Sequence, residues 1–141
     1  MTRKANAWTA AAPGRDHDVA DAAELLEAAR EALASELLPA LPEAVRYSGL
    51  MIANALAIAA REVAEGPATI RREIALLRPL AAQAVPPSDA GSDDVHALRR
   101  IVAAAIRDGR FDDDVHARAL VAALDDIAAG RVAISNPRAL R

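Results

Sequence analysis

Residues 49–60 read Gly-Leu-Met-Ile-Ala-Asn-Ala-Leu-Ala-Ile-Ala-Ala, about three helical turns that are apolar on every side except at Asn54. A helix without a polar face must be enclosed by its neighbours. The run therefore predicts a central helix, with the Asn54 amide inside the core and in need of hydrogen-bond partners. An unmet buried amide costs about 1–3 kcal/mol.

The rest of the composition agrees with a helical core. About a quarter of the 141 residues are alanine, and the aromatic side chains are one Trp, one Tyr and one Phe. Propensity favours helix nearly throughout, and strand signals are close to absent. The length suits one domain large enough to bury a core unaided. With no cysteine, disulfides, thiolate nucleophiles and Cys-based metal centres are excluded. A net charge of −3 argues against nucleic-acid binding, which needs a concentrated basic surface. The longest apolar run is too short to span a bilayer, and Asn6, Thr9 and Pro13 interrupt any leader-like stretch. The expectation is a cytoplasmic, soluble protein.

Punctuation divides the chain into a flexible arm over residues 1–20, which carries Trp8, and a helical domain over 21–138. Asp21 with Glu24 forms a capping box opening a first helix, whose stripe Ala22, Leu26, Ala29, Leu33, Leu37 and Ala40 should be buried. Pro39 and Pro42 stop it. Pro42 opens the spine, about 22 residues long and closed by Gly66. A third helix spans 67–84, with Ile70, Ile74, Leu77 and Leu80 on one side, Arg71, Arg72, Glu73 and Arg78 elsewhere, and a kink at Pro79. After a loop at 85–92, a fourth helix starts near Asp93 and turns Val95, Leu98, Val102 and Ala105 inward until Gly109. A fifth runs from Asp112–Asp114 to Ser135, burying Leu120, Leu124, Ile127 and Ile134. Short connections imply an all-α, single-domain antiparallel bundle of four to five helices.

Catalytic patterns are missing. The acidic group Asp108, Asp112, Asp113 and Asp114 lacks calcium-loop spacing and is explained by helix capping. His17, His96 and His116 do not assemble a three-ligand site, and no phosphate loop, nucleophile elbow or zinc-protease motif is present. No cofactor and no catalytic residue is assigned. The candidates for binding a ligand or partner are Arg46, Asn54, Arg61, Glu62, Asn136 and Arg138. All but Arg46 also have a structural reading. Asn54 can fix helix register, Arg61 and Glu62 can pair as a charged collar, Asn136 can close a helix in the left-handed conformation ahead of Pro137, and Arg138 can sit on an exposed tail.

Asn54-Ala-Leu-Ala-Ile followed by Arg61-Glu62, and the closing Val-Ala-Ile-Ser-Asn-Pro-Arg at 132–138, resemble a family of small bacterial proteins of unknown function. The stretches at 23–28 and 36–41 fit the same pattern, so the likeness covers about residues 21–138. Where family members often carry an aromatic residue after Asn-Pro-Arg, Ala139 and Leu140 stand here. Members typically lie beside acyl-CoA dehydrogenases and kinases similar to aminoglycoside phosphotransferases. The resemblance implies a non-catalytic accessory subunit for such a kinase, acting on hydroxyacyl-CoA compounds in hydroxy-acid catabolism, with the dehydrogenase as a second partner. Two rival readings stay open: a stand-alone small-molecule-binding domain using Asn54, Arg46 and Arg61, and a self-associating bundle.

Overall fold

Asp21 and Glu24 exchange hydrogen bonds: the Glu24 N–H donates to Asp21 at 2.9 Å and the Asp21 N–H to Glu24 at 3.1 Å. This capping box starts α1 (Ala22–Ala32), as the sequence predicts. The computed structural model describes residues 21–86 and 90–141; the arm expected over 1–20, with Trp8 and His17, lies outside them. α1 passes into a π-helical turn (Leu33–Leu37) and then α2 (Leu38–Ala40). A π turn holds one extra residue, and that insertion rephases the helix surface. Leu26, Arg30, Leu33 and Leu38 are half-buried, whereas Ala22, Ala29, Leu37 and Ala40 are exposed. The expected stripe is thus displaced, and Leu38 takes the place foreseen for Leu37. Pro39 sits inside α2 and does not stop the helix; the chain turns at Leu41 and Pro42.

α3 (Glu43–Ala81) is one helix of 39 residues, where the sequence predicts a spine ending at Gly66 and a separate helix beyond it. The Gly66-Pro67 pair explains the difference. A proline ring clashes with the Cβ of the residue before it when that residue is helical, and glycine has none. Gly66 therefore lets the helix pass Pro67, at the loss of one backbone hydrogen bond. Pro79 is also accommodated, and the helix ends two residues later.

α4 (Val95–Arg107) is capped by Asp94, which accepts the His96 N–H at 2.8 Å. It ends at Gly109, whose φ of +72° favours a residue without a side chain. α5 (Asp114–Ser135) is capped by Asp113, which accepts the N–H groups of Val115 and His116. The His116 N–H, followed by the His116 ring, holds the Asp113 carboxyl below its ordinary value. A 3-10 turn (Pro137–Leu140) follows. The architecture is all-α, and no strand occurs among the described residues.

The core forms where α4 and α5 pack on the C-terminal half of α3. Leu77, Leu80, Ala81, Val95, Leu98, Val102, Ala105, Phe111, Leu120 and Ala123 make one cluster, with Ile74 and Ile127 half-buried against it. The inward positions predicted for α4 are all buried. In α5, Leu120 and Ile134 are buried, but Leu124 is exposed.

The N-terminal half of α3 departs furthest from expectation. The described residues do not enclose it: α1 covers one side, with Leu38 and Leu41 lying close over Gly49. Tyr47 is 73% exposed, Leu50 54%, Met51 50% and Ile52 54%, and Asn54 is exposed too. The apolar run is therefore half of a two-helix arm, and its asparagine is no core amide. Since α1 contains no buried residue, the arm should open more readily than the core. Hydrogen exchange should show α1 amides exchanging at least about tenfold faster than those of α4 near Leu98; equal protection in the monomer would contradict this.

Candidate functional site

Among the described residues, Glu73 is the buried charge, 4% exposed on the inner side of α3. Two arginines reach it. Arg99 of α4 donates from Nε at 2.7 Å and from Nη2 at 2.8 Å, a two-pronged pairing with both carboxylate oxygens. Arg131 of α5 donates from Nη2 at 2.9 and 3.2 Å. The Arg99 hydrogen bonds are the largest influence holding the Glu73 carboxyl below its ordinary 4.5, against burial, with Arg131 adding to them. The same contact raises the Arg99 guanidinium.

This cluster forms part of a cleft of about 400 Å³ between the middle of α3, the start of α4 and the end of α5. Ile58, Ile70, Val95 and Ile134 supply its apolar walls, while Glu62 and His96 add polar groups. Sequence reasoning missed Glu73, Arg99 and Arg131, although a signal existed. Glu73 lies four residues before the buried Leu77, and Arg131 lies between Ile127 and Ile134, so Glu73 falls on the inward stripe of α3 and Arg131 at the edge of that of α5, while Ile70, expected on the same side as Leu77, is 42% exposed.

Four of the six predicted residues come together at a second place. Asn54, Arg61, Asn136 and Arg138, with Ser135 and Pro137, line a notch of about 220 Å³ beside the cleft. Arg61 Nε donates to the Ile134 carbonyl at 2.6 Å, so a cation from α3 satisfies the last turn of α5, where the helix dipole is negative. The expected Arg61–Glu62 collar does not form, because successive helical residues point about 100° apart; Glu62 faces the cleft instead. Asn136 has φ −150° and ψ 72°, a negative φ rather than the left-handed conformation, and its N–H bonds to the Val132 carbonyl at 2.7 Å. Pro137 then starts the 3-10 turn, which brings Arg138 to the notch rather than onto a tail. Arg46 lies apart, near the Leu41 carbonyl.

Among the described residues, no group of three His, Asp or Glu side chains could hold a metal ion, and no helix is long and apolar enough to cross a membrane. The family described as Domain of unknown function (DUF6285) matches residues 39–139, most of the chain, from α2 through the 3-10 turn. The chain belongs to this family. Neither a curated protein nor a solved structure matches it. The family match takes in both halves of the notch, with Asn54 and Arg61 from α3 and Asn136 and Arg138 from the chain's end.

Replacing Glu73 tests the ion cluster. Glu73→Gln leaves two partly solvated guanidiniums without their counter-charge and should cost about 1–2 kcal/mol in urea unfolding at neutral pH. The pH dependence has a definite sign. A carboxyl held below its ordinary pKa stabilises the fold above that value and loses the contribution as pH falls through the lowered one. Wild-type stability should therefore drop below pH 4.5, and Glu73→Gln should show a shallower drop over the same range. Parallel curves would rule out this role for Glu73.

Proposed function

We propose that this protein is a non-catalytic accessory subunit of a kinase similar to aminoglycoside phosphotransferases, which acts on hydroxyacyl-CoA compounds in hydroxy-acid catabolism. The observation that carries the reading is the uncovered side of the arm. At 100° per residue, Tyr47, Leu50, Met51 and Asn54 share the face of α3 turned away from Gly49 and α1, and all four are exposed. Contiguous exposed apolar side chains on a helix mark a surface that another protein covers. The motif resemblance supplies the kind of partner, and an acyl-CoA dehydrogenase is a second protein of the same assembly.

On this reading the nucleotide chemistry belongs to the kinase, and the arm stabilises it or completes its acyl-CoA site. Leu50 and Met51 lie at the centre of the stripe, where side chains dominate an interface. Co-expression with the neighbouring kinase tests the proposal. The two chains should co-purify, and the kinase should be more active with this subunit than alone. The double substitution Leu50→Glu and Met51→Glu should weaken the complex by at least about thirtyfold, with the helical circular dichroism unchanged. A kinase fully active alone that never co-purifies with this protein would remove the proposal.

A further inference from the structure

The notch at the end of α5 differs in kind from the cleft beside it. The cleft balances Arg99 and Arg131 against Glu62 and Glu73, whereas among the described residues no carboxylate side chain lines the notch, the Glu27 carboxylate of α1 feeling the Arg61 charge from outside it. Two arginines, Arg61 and Arg138, line it together with Asn54, Ser135 and Asn136. Arg61 uses Nε on the Ile134 carbonyl, which fixes its plane, and among the described residues no group accepts from either terminal nitrogen. Ser135 donates to the Arg131 carbonyl at 3.0 Å, and that bond positions its oxygen. We propose that the notch is a receptor for a phosphate group, held by Arg61 and Arg138 with Asn54 as a neutral donor.

Guanidinium forks match the oxygen spacing of phosphate and form charge-assisted hydrogen bonds with it. The residues come from positions more than 70 apart in the chain, and the Arg61–Ile134 bond sets their spacing before any ligand arrives. Preorganised donors of this kind lose little freedom on binding. A volume of about 220 Å³ admits a phosphate group but little of a larger molecule, so an ester would leave its remaining part outside. The shared chemistry is therefore a phosphate, either free or terminal on an organic ester. This assignment stands independently of the kinase reading, since it concerns the isolated chain.

Titration of the whole protein at low ionic strength tests it, with inorganic phosphate and adenosine monophosphate as probes and acetate as the control, followed by calorimetry and by amide shifts at Asn54 and Arg138. Phosphate should bind with Kd of about 1 mM or tighter, and acetate at least tenfold more weakly. Adenosine monophosphate binding more tightly than phosphate assigns the notch to an ester, and equal or weaker binding assigns it to the free anion; both uphold the receptor. Arg138→Gln should weaken phosphate at least about tenfold without a change in melting temperature, because Arg138 makes no hydrogen bond to any other described residue. Arg46→Gln removes the same charge outside the notch and should leave binding unchanged. No phosphate binding at 20 mM (a ceiling of about twentyfold over the expected Kd), equal binding of acetate, or equal losses from Arg138→Gln and Arg46→Gln would overturn the proposal.

Discussion

One carboxylate holding two guanidiniums ties together the three helices of the core. Glu73 stands on α3, Arg99 on α4 and Arg131 on α5, so each helix contributes one member. A buried ion cluster of this type adds little net stability over a well-packed apolar substitute, since desolvation offsets much of the attraction. Its effect is on register. A slide of α4 or α5 along α3 by one turn would leave a buried charge without its counterpart, which is far more costly than the same slide between alanine faces. In a chain so rich in alanine, whose helices offer few distinctive shapes to one another, this fixes which turns meet.

The cluster also positions what lies around it. Arg131 anchors α5 one turn before Ile134, whose carbonyl takes the Arg61 hydrogen bond, and the chain then leaves through Asn136 and Pro137. The notch is in this sense downstream of Glu73. Beyond it, towards Tyr47, the described residues that accompany α3 are those of α1, the π turn and α2, all on one side. The molecule thus has a dry end and a half-dressed end on the same helix. The apolar residues of the second are as numerous as those of a core, but too few helices reach them.

That division explains what the amino-acid order could and could not reveal. Caps at Asp21 and Asp113, the inward face of α4 and the stop at Gly109 are decided by neighbours a few residues away, and they were legible. Gly66 was not. The same glycine closes a helix or carries it past a proline, depending on whether the following turn finds something to pack on. Asn54 misled for a related reason: an apolar surround in sequence means burial only when enough partners exist in space. Glu73 was hidden by the habit of assigning charges to the outside, although its spacing from Leu77 placed it inward. By contrast, the convergence of Asn54 and Arg61 with Asn136 and Arg138 was foreseeable only as a shared list; the antiparallel course of α5 along α3 brings them together.

A single rod of 39 residues is about 58 Å long. Its one interior site with a missing backbone bond and no Cβ to brace it, Gly66-Pro67, falls near the boundary between the bare arm and the packed core. Tilting the rod there by about 10° would swing Tyr47 through roughly 5 Å, given the rise of each residue along the axis. The pivot lies beside the cleft, and Arg61, which clasps α5, is one turn away on the moving side. Leverage applied at the tip is therefore delivered to the cleft and to the notch.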